Sequence, residues 1–141
     1  MKPTASGSCL CGNIKFEYFG QLGPSSYCHC DDCKKVTGSA FLVSIRLHAK
    51  DLKIVSENSI KSFSKKSDIG NLIIREFCEN CGSPLFTISP HNPDFIWVKA
   101  GCFDEFDIIK PIHQSWTDSK VEWANIPKNL KSYEKSRTFL K

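Results

Sequence analysis

Eight cysteines in 141 residues, gathered into three tight clusters, constrain this chain more than any other feature. Cys9-Leu10-Cys11-Gly12 lies near the start, and Cys28-His29-Cys30-Asp31-Asp32-Cys33 follows. Cys78-Glu79-Asn80-Cys81-Gly82 comes in the second half, and Cys102 stands apart. The first and third clusters are two-thiol knuckles, each followed by glycine. Together they supply four sulfurs, the closed ligand set that structural zinc uses. The middle cluster offers three sulfurs, and a three-ligand set with an open position is what chemistry at zinc requires. The chain therefore reads as a two-zinc protein with one structural and one reactive site.

The spacings carry that reading. In an extended segment residues two apart share a face, so Cys9 and Cys11 reach one ion while Leu10 turns away. Cys78 and Cys81 converge when a tight turn brings positions i and i+3 together. Gly12 and Gly82 tolerate positive φ and leave room for backbone amides to approach the sulfurs. An ion there staples the start of the fold to its latter half. Such binding is folding free energy, on the order of 10–16 kcal/mol apparent in zinc-finger peptides. Two unrelated pairs of buried cysteines are the competing reading, and they leave the paired spacings and glycines unexplained.

In the middle cluster, alternation aligns Cys28 with Cys30 and turns His29 to the other face. His29 is thus expected to be structural, or to support a ligand, rather than to be a ligand itself. A helical turn from Asp31 brings Cys33 round to the same point. Three thiolates on Zn²⁺ leave a centre of charge −1. Such a soft, electron-rich centre suits capture of a further thiolate better than acidification of water. A redox-active or unmetallated thiol set is the alternative, and the site is open to partial occupancy. Downstream, Lys34, Lys35 and Ser39 are candidate contacts for an anionic, peptide-like substrate, although a solvated lysine is the ordinary case. Arg46 and Arg75 interrupt strand patterns and are candidates to pair with a carboxylate. Cys102 reads as a small buried hydrophobe. Phe41, Phe86, Trp97, Trp116 and Trp123 read as core aromatics, and His113 lies on a late strand that could line a pocket.

The formal net charge is +4 with the cysteines counted neutral, and seven thiolates holding two Zn²⁺ ions would lower it to about +1. Lys128, Lys131, Lys135, Arg137 and Lys141 cluster only at the tail, without the aromatic-studded basic stripe of a nucleic-acid reader. No apolar run approaches membrane-spanning length and no export signal opens the chain. A reducing, cytoplasmic setting is expected, where thiols bind metal rather than form disulfides.

Period-two alternation recurs at Ile14–Tyr18, Ser26–Cys30, Ala40–Leu47, Leu52–Ser56, Ser59–Phe63, Leu72–Phe77, Leu85–Ser89, Phe95–Ala100 and Ile112–Trp116. Turn signals separate these runs, and no long helical pattern intervenes. The expectation is a mainly β domain of short antiparallel sheets over residues 1–141, its core at about 5–135. Helical turns are expected at Asp31–Val36 and Pro127–Tyr133.

The three clusters in this order, with Cys28–Phe41 and Phe77–Leu85, resemble the glutathione-dependent formaldehyde-activating enzyme family, also called the GFA/CENP-V family. Ala100–Asp104 and Ile112–Trp123 add to the likeness. The resemblance implies an Mss4-like β fold, with structural zinc on Cys9, Cys11, Cys78 and Cys81 and catalytic zinc on Cys28, Cys30 and Cys33. It also implies a carbon–sulfur lyase-type activity, condensing glutathione as co-substrate with formaldehyde to S-hydroxymethylglutathione. The chain departs from the pattern at Ser56-Glu57-Asn58, where a glycine–glutamate turn is common, and at Cys102, where small or hydroxylated residues are usual. Two functional readings follow. One is a zinc enzyme acting on a small thiol and a small aldehyde. The other is a zinc-ribbon-like protein or nucleic-acid binding module without catalysis. A chaperone or exchange role rests on fold analogy alone.

Overall fold

The fold is that of a computed structural model, described for residues 1–55 and 59–136. Ser56-Glu57-Asn58 and the tail residues Arg137 and Lys141 lie outside the described residues. Most of the alternating runs form strands. In chain order these are β1 (Ala5–Ser8), β2 (Lys15–Tyr18), β3 (Ser25–Cys28), β4 (Leu42–His48) and β5 (Leu52–Ile54). Then come β6 (Ile60–Lys66), β7 (Leu72–Cys78), β8 (Pro84–Ile88), β9 (Phe95–Lys99), β10 (His113–Ser115) and β11 (Lys131–Ser132). One helix, α1 (Asp31–Thr37), sits between β3 and β4.

Strands β1, β2 and β5 make a three-stranded sheet, and the rest make an eight-stranded sheet in the order β11-β10-β3-β4-β9-β8-β7-β6. The core lies on one face of the large sheet. Alternation puts Ile45 and Leu47 of β4, Ile96 and Val98 of β9, and Phe86 of β8 on that face, where they are buried. Phe16 of β2 packs edge-on against Phe86 and Phe103, with ring centroids 5.7 and 5.4 Å apart, an arrangement the ring quadrupoles favour. The opposite face carries the odd-numbered set Trp97 and Lys99 of β9 and the even-numbered Leu42 and Ser44 of β4. That face builds the site. At the outer edge β6 is exposed along most of its length, and Lys61, Lys65 and Lys66 discourage further strand pairing there.

Three expectations change. The large sheet is mixed, because β10 runs parallel to both β3 and β11. Pro127–Tyr133 is a turn leading into β11 rather than a helical turn. Its backbone is drawn into the sheet, with Gln114 opposite Ser132 and the Tyr133 N–H donating to the Gln114 carbonyl at 3.0 Å. Trp123 is 75% exposed and belongs to no core, whereas Phe86 is fully buried. No described helix is long and apolar enough to cross a membrane.

Candidate metal centres and the adjoining cavity

The first knuckle follows β1, and the second begins on the last residue of β7. Their four sulfurs, from Cys9, Cys11, Cys78 and Cys81, lie within 4.8 Å of one another. Cys9 Sγ is 3.6 Å from Cys11 Sγ, and Cys11 Sγ is 3.7 Å from Cys78 Sγ. A tetrahedral ion with bonds of about 2.3 Å needs its sulfurs about 3.8 Å apart, so the spacing fits zinc. It is far beyond a disulfide bond of about 2.05 Å, and all eight cysteines are free thiols.

Convergence at Cys9 and Cys11 comes from a turn rather than from extended alternation. The Gly12 N–H donates to the Cys9 carbonyl at 3.1 Å, and the Gly82 N–H donates to that of Cys78 at 2.9 Å. Both glycines hold positive φ, +80° and +78°, as this tight reversal requires. The donors around the sulfurs also suit an ionised set. The Ile14 N–H approaches Cys9 Sγ at 3.3 Å. The Asn80 side chain, then the Asn13 amide, lower the Cys11 thiol, and the Ser83 hydroxyl and amide hold Cys81 down at about 5.

The second cluster forms where β3 gives way to α1. Cys28 ends the strand, and Cys30 caps the helix in extended geometry, its sulfur accepting the Cys33 N–H at 3.3 Å. Asp31 and Asp32 in the first turn favour the helix dipole, and Gly38, with φ +67°, ends the helix. One turn thus carries Cys33 back to the other two thiols, and all three sulfurs lie within 4.8 Å of one another. Cys28 receives the S–H groups of Cys30 and Cys33 and is held down to about 3. The Cys28 sulfur in turn pushes the Cys30 and Cys33 thiols up. Alone, the triad accommodates a single negative charge. Ionising all three sulfurs needs a cation among them, and this donor set fits a soft divalent metal.

His29 turns away from the sulfurs, as alternation anticipates. It is buried, with its ring edge-on to Phe41 and Nε2 3.0 Å from Gln114 Oε1. The Gln114 amide nitrogen donates to Ser132 Oγ, which leaves its oxygen facing the ring. Nε2 is therefore the protonated nitrogen, and desolvation lowers the imidazole pKa.

The triad opens onto a cavity of about 260 Å³. Strand register explains its walls. Arg75 of β7 lies opposite Thr87 of β8, which lies opposite Trp97 of β9. Lys99 lies opposite Ser44 of β4, Ser44 opposite Ser26 of β3, and Cys28 opposite Leu42. All of these line the cavity, with Ser115, Trp116 and, from the turn of the β6–β7 hairpin, Ser67, Ile69 and Asn71 closing it. Lys99 is buried and donates to Thr87 Oγ1. Burial lowers its pKa to about 8, the nearby Cys33 sulfur opposing the fall and Arg75 adding to it.

Sequence reasoning placed the cationic contacts elsewhere. Lys34, Lys35 and Ser39 do not line the cavity. Lys34 pairs with Asp31 at 3.3 Å and donates to the Ser119 carbonyl, while Lys35 and Ser39 face solvent. The helical turn that aims Cys33 at the cavity rotates the next two residues off it. Arg46 lies over the Phe95 ring, 4.3 Å from its centroid. Cys102 is buried and donates to the Pro84 carbonyl at 3.2 Å, outside both clusters. Trp97 and Trp116 line the cavity. Lys99 had a readable signal, a lysine closing the apolar run Phe95-Ile96-Trp97-Val98.

The sequence model of the glutathione-dependent formaldehyde-activating enzyme family matches residues 4–119. The chain belongs to that family. In this family member the matched span takes in both cysteine clusters and most of the cavity. A crystal structure of a Rhodobacter sphaeroides protein shares the fold, with a TM-score of 0.55 at 16% identity over 91% of this chain and 98% of that one. Among curated proteins no sequence matches.

Proposed function

We propose that this family member is a zinc-dependent enzyme of the carbon–sulfur lyase type. It joins glutathione to formaldehyde, or to another small aldehyde, as an S-hydroxymethyl adduct. In this reading Cys9, Cys11, Cys78 and Cys81 hold a structural zinc, and Cys28, Cys30 and Cys33 hold a second. The observation that carries it is the contrast between the two clusters: four sulfurs close on themselves in one, while three face a cavity with two cations in the other. Family membership supports the choice of substrates.

Zinc on the three sulfurs would supply a soft site where a substrate thiol ionises near neutral pH. The chain's own residues would do the rest. Leu42, Ile73 and Trp97 form apolar walls that limit water around the reacting carbon. The Lys99 ammonium, fixed by Thr87, stabilises negative charge on the carbonyl oxygen as the C–S bond forms and the C=O π bond breaks, and can give that oxygen a proton. The thiol loses one proton and the new hydroxyl gains one, so the reaction balances without a redox partner.

Calorimetric titration of the zinc-loaded protein with glutathione and S-methylglutathione tests this reading. Glutathione is expected to bind at least about tenfold more tightly, and more weakly as pH falls, because proton and metal compete for one sulfur. Equal affinity for the two would mean that the substrate sulfur never meets the centre.

A further inference from the structure

The cavity holds two cations that no acidic side chain of its described lining meets. Three thiolates around a divalent ion carry −1, whereas Arg75 and Lys99 bring +2 to the same space. Among the described residues that line it there is no aspartate or glutamate, and none of the described ion pairs involves either cation. The two flank Thr87, which faces Arg75 across the β7–β8 ladder and accepts a hydrogen bond from Lys99. A buried ammonium is costly unless something negative meets it. A captured thiolate takes the centre to −2 and balances the two cations overall, but it gives neither Arg75 nor Lys99 a carboxylate partner among the described lining.

We infer that Arg75 and Lys99 form a carboxylate subsite beside Cys28, Cys30 and Cys33, so that the preferred thiols carry a carboxylate and thiols bearing only an ammonium are rejected. The inference rests on the reading that a thiol is held at the three-cysteine centre. A planar guanidinium and a fixed ammonium on either side of a hydroxyl make a fork suited to a carboxylate. With no acidic side chain in the described lining, the ammonium of a cationic thiol finds no carboxylate there and meets Arg75 and Lys99. The carboxylates of glutathione satisfy the subsite, and a much smaller mercaptocarboxylate would satisfy it too.

The test is calorimetric titration of the zinc-loaded full chain with 3-mercaptopropionate, its methyl ester and cysteamine. Propionate serves as the thiol-free control. The acid is expected to bind at least about tenfold more tightly than the ester, with cysteamine weakest. The ester has the more acidic thiol, so thiolate supply works against this order. Arg75→Gln and Lys99→Met should each remove most of the acid's advantage over the ester. Equal binding of acid and ester, an advantage that survives both substitutions, or cysteamine binding as tightly as the acid would overturn the inference. If no thiol binds, the thiol-capture reading fails and propionate decides the subsite by itself. Propionate binding that Arg75→Gln weakens would retain the subsite, and no propionate binding would overturn it.

Discussion

Replacing Lys99 with methionine is expected to stabilise the protein at neutral pH. Lys99 is buried, and burial holds its pKa at about 8 against an ordinary 10.5. The folded value lies below the unfolded one, so the unfolded chain binds more protons between about pH 8 and 10.5. Stability therefore rises with pH across that window, and the full penalty is present below it. At 1.36 kcal/mol per pKa unit, the charge costs about 3 kcal/mol at pH 7 and under about 1 kcal/mol at pH 10. Methionine keeps the length of the chain and removes the charge. It also gives up the bond to Thr87, worth about 1 kcal/mol net, although that hydroxyl still faces the cavity. The expected gain is about 2 kcal/mol at pH 7 and close to none at pH 10. Urea denaturation of the zinc-loaded wild type and variant at both pH values reads it directly. A variant less stable at pH 7, or a difference that does not change with pH, would refute the reasoning. A lysine kept at such a cost fits a group retained for binding and chemistry rather than for the fold.

Cys78→Ala is expected to lose one zinc per chain and unfold cooperatively, whereas Cys30→Ala should lose one zinc with the circular-dichroism spectrum unchanged. Equal collapse of both variants would make the second site structural too. His29→Leu should leave two zinc ions per chain by metal analysis, and a fall to one would make His29 a ligand. Gln114→Leu strands a buried Nε2–H, and should cost about 1–3 kcal/mol in urea denaturation.

The ligand clusters were legible in the chain because chelation is local. C-x-C and C-x-x-C spacings bring sulfurs together through a single turn, and the glycines that permit the reversal sit beside them in sequence. Pairing the first cluster with the third needed only a count of sulfurs, and the alternating runs marked most strands for the same local reason. Adjacency in sequence misled where a helix intervened. Lys34 follows Cys33 directly, yet 100° of rotation per residue carries it off the cavity to Ser119. The short β11 segment went unread because two residues carry no periodicity, and its partner lies well back along the chain on β10. The cavity itself belongs to tertiary structure. Arg75, Thr87, Trp97, Lys99, Ser44 and Cys28 become neighbours only through the register of β7, β8, β9, β4 and β3, and no local pattern encodes that register. The sequence by itself determined where metal can bind. Strand pairing decided what faces the three-cysteine cluster, because it sets which side chains share the open side of the sheet and which are buried in the core.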